Sequence, residues 1–254
     1  MQLRIMSFNT QHCMNFVTRK IDFEIMAETI REAGADVIGL QEIRGEGQHR
    51  GEYEAQAKIL GEMLGFHYYF AEAIRFGGVD PYGNALLSRY PIDRAETVMI
   101  PDPVIRLIPG GYYETRCVLS ATLDTGVPGG FNVLVSHFGL NPDEHRLAVK
   151  TVAGLIPRER GVFMGDLNMK PGNLKLRPVR KKLADTAAFL ARGDNGYTFP
   201  SDSPNRKIDY IFVTKDLEVN ACRVFPKIAS DHRALVADIT LPARELTSEG
   251  ESQL

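Results

Sequence analysis

The stretch Gly161-Val162-Phe163-Met164-Gly165-Asp166-Leu167-Asn168 is an apolar run that ends in a carboxylate and a carboxamide. This order is typical of a buried strand that emerges into a loop, where polar side chains are firmly held and still accessible. Taken alone, the stretch is explained more simply as a turn in which Asp166 and Asn168 satisfy nearby amides. If other strands also end in polar groups, the stretch is better explained as part of a functional site than as a simple turn.

Short apolar runs rich in β-branched or aromatic residues recur along the chain and predict β-strands. They cover residues 3–8, 36–40, 85–88, 118–123, 131–137, 162–164, 208–213 and 234–239. Apolar residues spaced by three and four positions predict helices over 23–33 and 53–64. A third helix is predicted to open at Asn141-Pro142-Asp143-Glu144, where Asn141 is a suitable N-cap. The chain is therefore predicted to be mixed α/β.

Most of these runs end in, or begin beside, an amide, carboxylate or imidazole side chain. The residues are Asn9, Glu42, His137, Asp166, Asn168, Asp209, Asp231 and His232. Carboxylate and amide oxygens suit a hard divalent cation, so Asn9, Glu42 and Asp231 are candidate ligands for Mg²⁺. Histidines beside carboxylates indicate proton transfer and anion stabilisation. Each residue also has a simpler explanation when considered alone, such as a surface acid, a polar turn or a core histidine.

Composition sets wider limits on the class of protein. With 254 residues, 44% of them hydrophobic, and no linker or repeat, the chain is predicted to form one domain over residues 1–243 with a polar tail over 244–254. No run of eighteen apolar residues occurs, and the three cysteines are widely spaced, so a cytoplasmic protein without disulfides or a zinc-thiolate site is expected. The 30 basic and 32 acidic residues argue against general phosphate binding along duplex nucleic acid, although local patches remain open.

Seven motifs in sequence order resemble those of the endonuclease/exonuclease/phosphatase superfamily, which includes deoxyribonuclease I, abasic-site endonucleases, neutral sphingomyelinases and inositol polyphosphate 5-phosphatases. They are Ser7-Phe8-Asn9, Gln41-Glu42, residues 83–88 (Gly-Asn-Ala-Leu-Leu-Ser), Ser136-His137-Phe138, residues 165–168 (Gly-Asp-Leu-Asn), Ile208-Asp209-Tyr210 and Ser230-Asp231-His232. The resemblance covers nearly the whole chain. It implies a four-layer α/β/β/α sandwich, with two packed, mostly antiparallel sheets and an active site at one rim.

The resemblance also implies a role for each residue in a metal-dependent phosphoesterase. Glu42 would be the principal ligand of Mg²⁺, which Mn²⁺ can replace, with Asn9 and Asp231 as ligands directly or through water. Asp166 would orient or deprotonate the attacking water, and Asn168 would hold a phosphate oxygen. His232, oriented by Asp209, would stabilise charge at phosphorus. Such a reaction needs a cation and hydrogen-bond donors at the phosphate oxygens and a base on the entering side.

The substrate is less well determined. Histidine at position 137 and the absence of tryptophan resemble the two-histidine branch of the family and argue against abasic-site repair. Asn84 and Arg116 are predicted to contact the substrate phosphate, although Arg116 has two alternatives, bracing His137 or pairing with Glu114. The favoured substrate is a phosphodiester or phosphomonoester of a small molecule or lipid headgroup. A nonspecific Mg²⁺-dependent nuclease and a noncatalytic binding protein are the alternatives.

Several segments remain candidates for holding the substrate. Residues 170–182 contain six positive charges, which could contact nucleic acid or an anionic membrane peripherally, although a solvated helix leading into residues 183–190 is favoured. Residues 99–113 are a candidate cleft wall, as is Tyr82. The less favoured candidates are His12, Arg44, His49 and Arg50. No protein partner is predicted.

Overall fold

The computed structural model describes residues 1–47 and 54–242. In this part of the chain the strands are β1 (Gln2–Asn9), β2 (Val37–Arg44), β3 (His67–Phe76), β4 (Asp80–Ser88), β5 (Ile92–Met99), β6 (Cys117–Leu123), β7 (Phe131–Ser136), β8 (Gly161–Asp166), β9 (Leu183–Asp185), β10 (Asp209–Thr214), β11 (Glu218–Val224) and β12 (Leu235–Thr240). The helices are α1 (Phe23–Ala33), α2 (Gln56–Leu64), α3 (Pro142–Leu155) and α4 (Arg177–Lys182), with short 3₁₀ turns at Leu174–Leu176 and Thr186–Phe189.

The strands form two six-stranded sheets. The first has the order β11-β12-β1-β2-β4-β3 and the second the order β5-β6-β7-β8-β10-β9. Only β1 with β2 and β7 with β8 pair in parallel, and the other neighbouring strands in the described residues are antiparallel. The predicted mostly antiparallel arrangement is therefore confirmed.

Three apolar clusters hold the layers together. The inner faces of both sheets meet in a central core, to which β1 contributes Leu3 and Ile5 while Met164 enters from β8. Alternate residues of β1, such as Met6 and Phe8, face the other way and pack on α1 and α2. A third cluster joins the outer face of the second sheet to α3 and α4. Because both faces of the inner strands are covered, the predicted four-layer sandwich is confirmed.

The helices begin and end where local chemistry requires. The carboxylate of Asp22 accepts from the amide of Ile25 and caps α1, which ends at Gly34 in the left-handed region with φ 66°. At the start of α3, Glu144 Oε2 accepts from the amide of Asn141 at 3.0 Å, as expected of a capping box. The predicted cap of the third helix is confirmed.

The sequence-based prediction differs from the structure at the edges of the two sheets. The strands β3, β5, β9 and β11 were not predicted, and they are the edge strands of the two sheets. The solvated helix favoured within residues 170–182 is present as α4, and the segment 183–190 that follows it forms β9 and a 3₁₀ turn. The start of the helix predicted over 53–64 and the polar tail lie outside the described residues. None of the helices described is both long and apolar enough to cross a membrane.

Strand pairing gathers the polar ends of several strands at one rim. Asp166, at the end of β8, is the register partner of Asp209, at the start of β10. In the first sheet, Asn9 at the end of β1 lies opposite Gln41, the neighbour of Glu42. The antiparallel pairing of β12 with β1 then brings the residues before Leu235, including His232, to the same rim.

Candidate active site

A cavity of about 410 Å³ opens at the rim where these strand ends meet. Seven of the residues predicted for the site line it, namely Glu42, Arg116, His137, Asp166, Asn168, Asp231 and His232. Asn9 and Asp209 lie directly behind the lining and bond to residues in it. Asn84 is only 2% exposed, does not line the cavity, and donates its amide to the Cys117 carbonyl at 3.2 Å. The structure thus unites nine of the ten predicted residues.

A close approach of two strands brings His137 beside Asp166. Gly165 has φ 152°, and a Cβ atom added there would lie 1.8 Å from the carbonyl oxygen of Ser136. Only glycine lets β7 and β8 run this close together. As a result, the first residue after β7, His137, lies beside the last residue of β8, with 3.5 Å between His137 Nε2 and Asp166 Oδ2.

Asp166 is at the centre of the polar cluster. Its Oδ2 lies 3.3 Å from the amide nitrogen of Asn9 and 3.6 Å from Nε2 of His232, while its Oδ1 accepts from the backbone amide of Asn168 at 2.9 Å. Burial, together with the charge of Asp209, raises the pKa of Asp166 to about 7. A carboxyl group with such a pKa is suited to accept a proton near neutral pH.

His232 is held between two carboxylates. Its Nδ1 lies 2.9 Å from Oδ2 of Asp209, which also accepts a hydrogen bond from the hydroxyl of Thr198. Burial by itself lowers the pKa of His232, but the charges of Asp209 and Asp166 outweigh that effect and raise the pKa to about 10. The ring is therefore a buried imidazolium at neutral pH, with Nε2 directed towards Asp166.

His137 has the opposite protonation state, because a different partner faces it. Burial and the positive charges of Arg116 and His232 hold the pKa of His137 well below its ordinary value. Its Nε2 also lies 3.2 Å from the side-chain nitrogen of Asn168, which donates to the carbonyl of Phe138. The cavity therefore presents one charged and one neutral imidazole on either side of Asp166.

The candidate metal ligands adjoin Asp166 through Asn9. Asn9 donates its amide to Oε1 of Glu42 at 3.0 Å, while its oxygen accepts from the amide of Gln11 at 3.1 Å. Glu42 has φ 59° and lies where the register between β2 and β4 shifts, between Leu40 and Ile43. Such a bulge redirects a side chain out of the regular strand pattern.

These residues fit a hard cation. Burial raises the pKa of Glu42, and the nearby charge of Asp231 raises it further, against the opposing hydrogen bond from Asn9. A divalent cation would stabilise the ionised form of a carboxylate in such surroundings, and carboxylate oxygens are the donors that Mg²⁺ prefers. In the orientation observed, Asn9 turns its nitrogen to Glu42, which suits a ligand acting through water or one that first rotates its amide.

Asp166, Asp209 and His232 also lie close enough together for one atom from each to surround an ion, with all three atoms within 4.8 Å of one another. His232 and Asp209, however, already bond to each other, and the raised pKa of His232 keeps its ring protonated. A protonated imidazole has no lone pair for a metal. The contacts between these three residues therefore favour proton and anion chemistry for this group.

Further residues complete the cavity. His12 and Arg44, two of the less favoured candidates, line it, whereas His49 and Arg50 lie outside the described residues. Tyr82 and Tyr112 also line it, which places two of the predicted wall segments at the cleft.

Sequence reasoning did not identify Glu114, Phe199 or Arg206 as residues of the cavity wall. The ring of Phe199 lies 4.7 Å from that of His232 between centroids. Thr198 was missed as a partner of Asp209. The Thr198-Phe199 segment precedes β10 as irregular chain, so no periodic pattern marks it.

Residues 6–232 match the model of the Endonuclease/Exonuclease/phosphatase family. The crystal structure of an endonuclease/exonuclease/phosphatase from Beutenbergia cavernae is 25% identical, with a TM-score of 0.76 over 94% of this chain and 72% of that one.

Two further structures share the fold at lower identity. One is the mannosyl-6-phosphatase Bt3783 of Bacteroides thetaiotaomicron, 17% identical with a TM-score of 0.70 over 94% of this chain and all (100%) of that one. The other is ANGEL2, a 2′,3′-cyclic phosphatase solved with adenosine-2′,3′-vanadate, 17% identical with a TM-score of 0.68 over 94% of this chain and 95% of that one.

Proposed function

Because this chain belongs to the endonuclease/exonuclease/phosphatase family, whose members generally hydrolyse phosphoester bonds, we propose that it is a Mg²⁺-dependent phosphoesterase acting on a small molecule or a lipid headgroup. The proposal depends mainly on the contacts of Asp166 Oδ2. This oxygen lies 3.3 Å from Nδ2 of Asn9, 3.5 Å from Nε2 of His137 and 3.6 Å from Nε2 of His232. A potential base, two imidazoles and a carboxylate-rich pocket thus meet in one cavity.

The side chains divide the reaction between them. Asp166, with its raised pKa, accepts a proton from the attacking water. His232, kept protonated by Asp209, donates towards the non-bridging oxygens as charge builds on the phosphoryl group. Asn168 is held by its bond to the Phe138 carbonyl, beside the same oxygens. His137 lies on the far side of Asp166 and limits the directions in which that carboxylate can turn.

Glu42, Asp231 and Asn9 would hold the cation, with Mn²⁺ able to replace Mg²⁺. When bound, the ion supplies a positive charge that stabilises the phosphate and the developing oxyanion. The three residues themselves bring oxygen donors into a buried pocket and keep Glu42 oriented through the 3.0 Å bond from Asn9. Burial and the charge of Asp231 raise the pKa of Glu42, and a bound cation would offset both effects.

Two considerations support a small substrate. A cavity of about 410 Å³ is within the range that holds small ligands. Two proteins of the same fold are named for a sugar phosphate and for a cyclic phosphate. The histidine at position 137 further supports membership of the two-histidine branch.

A nonspecific nuclease is the second candidate, since Lys170 and Arg177 are exposed close behind Asn168 in the chain.

The test is a substrate panel with the purified full chain and Mg²⁺. The panel comprises p-nitrophenyl phosphate, bis-p-nitrophenyl phosphate, a hexose 6-phosphate, a phospholipid dispersion and plasmid DNA. We expect turnover of at least one small ester or lipid that is abolished by EDTA and restored by Mg²⁺ or Mn²⁺. Cleavage of plasmid DNA alone would favour the nuclease.

Asp166→Asn supplies the negative control, and Asp124→Asn is the matched variant, because Asp124 is an exposed carboxylate in the turn between β6 and β7. Loss of turnover in the first variant but not the second assigns the activity to this cavity. Equal activity of both variants, or no turnover of any substrate by a chain that binds Mg²⁺, would contradict the proposal and favour a binding protein.

A further inference from the structure

The segment between β5 and β6 exposes an unusual number of apolar side chains. Fourteen large hydrophobic residues are exposed in the described part of the chain, and five of them lie in this segment, namely Val104, Ile105, Leu107, Ile108 and Tyr112, while Met99 ends β5 just before it. Val104 is 100% exposed and Ile105 is 78% exposed. A concentration of exposed apolar side chains of this kind is typical of a surface that binds a protein or a membrane. We refer to residues 100–112 as the apolar loop.

The apolar loop is fixed in place by polar bonds at its base. Asp143, in the first turn of α3, accepts from the amide of Leu107 and the hydroxyl of Tyr113, both at 3.0 Å. Asn141 donates to the carbonyl of Tyr112 at 2.7 Å. The backbone is therefore tied to the start of α3, while the aliphatic side chains of the loop stay uncovered.

The apolar loop borders the candidate active site. Tyr112, at its end, lines the cavity and is 60% exposed. Leu140, from the segment before α3, also lines the cavity and is 56% exposed. The exposed apolar surface begins in the cleft wall and continues outward through Val104 and Ile105. A membrane or protein bound to this surface would therefore also face the cleft.

A basic surface lies next to α3, the helix whose first turn holds the apolar loop. This helix packs against the 3₁₀ turn Leu174–Leu176 and against α4. Lys170, Arg177 and Lys181 are exposed there, and none of them forms an ion pair with a described residue. Leu174, 67% exposed, adds a further apolar side chain among them.

We propose that the apolar loop inserts into the surface of an anionic phospholipid membrane, with the basic residues of segment 170–182 against the lipid headgroups and the cleft facing the bilayer. Exposed aliphatic side chains, together with lysine and arginine outside ion pairs, are the combination that interfacial membrane binding uses, because apolar burial and attraction to anionic lipids add together. A protein interface is instead enriched in aromatic residues at its centre, whereas the loop tip here is aliphatic. The binding does not depend on the proposed hydrolysis.

The test is flotation of the purified full chain with phosphatidylcholine vesicles, with and without phosphatidylserine, in EDTA. We expect binding to the anionic vesicles, weakened by salt. The double variant Val104→Ser/Ile105→Ser should lower the partition coefficient at least about tenfold, because both aliphatic side chains would otherwise leave water on insertion. Arg177→Glu/Lys181→Glu should remove the preference for phosphatidylserine.

Tyr68→Ser is the matched control. Tyr68 is exposed, but it is in register with Leu87 and through it with Ile38, at the end of the sheet away from Glu42. It should bind vesicles like the wild type. Because the two loop side chains are exposed, the double variant should keep the wild-type melting temperature.

Three results would overturn the proposal. The first is a wild-type chain that does not float with anionic vesicles, and the second is a double variant that floats unchanged. The third is a wild-type dimer, seen by light scattering, that the double variant converts to a monomer, which would assign the loop to a second copy of the chain. Failure of the hydrolysis assay leaves all three readouts unaffected.

Discussion

Nη1 of Arg116 lies 3.0 Å from Nδ1 of His137. A guanidinium group only donates hydrogen bonds, so Nδ1 must be the acceptor. The ring is neutral, since burial and neighbouring positive charge hold the pKa of His137 well below its ordinary value. Its single proton is therefore on Nε2, which faces Asp166. Arg116 thus selects the tautomer that lets His137 donate towards the centre of the site.

This relationship predicts the effect of removing the guanidinium. Arg116→Gln should lower kcat by about tenfold or more, because the imidazole of His137 could then adopt the other tautomer and turn away from Asp166. In a His137→Ala background the same substitution should cost little more. A double-mutant cycle on kcat measures this coupling, and fully additive losses would mean that Arg116 acts on the substrate directly.

The control for that cycle is Glu114→Gln. Glu114 Oε1 lies 2.8 Å from Arg116 Nη1 in a pair that is almost completely buried. Removing this carboxylate charge tests whether the loss in Arg116→Gln comes from an unpaired Glu114 rather than from His137. We expect Glu114→Gln to retain most of the wild-type kcat, since the contact between Arg116 and His137 remains.

A second prediction concerns the carboxylate behind His232. Asp209→Asn should lower kcat by roughly a hundredfold, because the imidazolium loses the charge that keeps it protonated and oriented. Thr198→Val removes only the hydroxyl that donates to Asp209 and should cost less. Steady-state rates for both variants, with circular dichroism to check folding, test the order of these losses. Equal losses would contradict a charge role for Asp209.

A third prediction concerns the cation. Glu42→Gln should weaken Mg²⁺ binding while keeping the shape of the pocket, so that excess Mg²⁺ restores part of the lost rate. Isothermal titration with Mg²⁺ measures the affinity directly. Glu62→Gln changes an exposed glutamate in α2 and should leave the titration unchanged. A wild-type titration curve for Glu42→Gln would remove this residue from the ligands.

Sequence patterns predicted the inner strands and missed the outer ones for a physical reason. Inner strands such as β8, with every residue buried, have covered faces and read as continuous apolar runs. The edge strand β5, Ile92–Met99, has no buried residue and mixes charged with apolar side chains. The four strands that were missed are all edges, so local apolarity predicted the centre of each sheet rather than its width.

The candidate site likewise contains residues that the sequence identified and contacts that only the folded chain defines. Residues at the ends of inner strands, such as Asp166, could be found because a polar group after an apolar run is visible in the sequence. The turn of Glu42 out of the regular strand pattern depends on a bulge against β4, which only the paired strands define. The contact of Thr198 with Asp209 joins irregular chain to a strand. For Arg116 the sequence offered contacts with the substrate, His137 or Glu114 and could not choose among them, because the contact with His137 depends on two strands meeting. The structure shows both the His137 and the Glu114 contact.

A fourth prediction concerns the segment that shapes the cleft between β7 and α3. Nε2 of His145 lies 2.8 Å from the carbonyl of Gly139 and ties α3 to the segment carrying Leu140. Burial lowers the pKa of His145 below its ordinary value of 6.5. The unfolded chain therefore takes up this proton more readily than the folded protein. The contribution to stability is full above about pH 6.5 and declines as the pH falls below that value.

In His145→Gln, an amide can still donate to Gly139 but does not titrate. The free energy of unfolding, measured with urea between pH 5 and pH 8, should fall less steeply on acidification in this variant than in the wild type. His67→Gln is the matched control, because His67 is exposed at the start of β3, and its pH dependence should follow that of the wild type. If the His145→Gln and wild-type profiles are parallel throughout this range, then His145 does not couple acidification to the loss of stability.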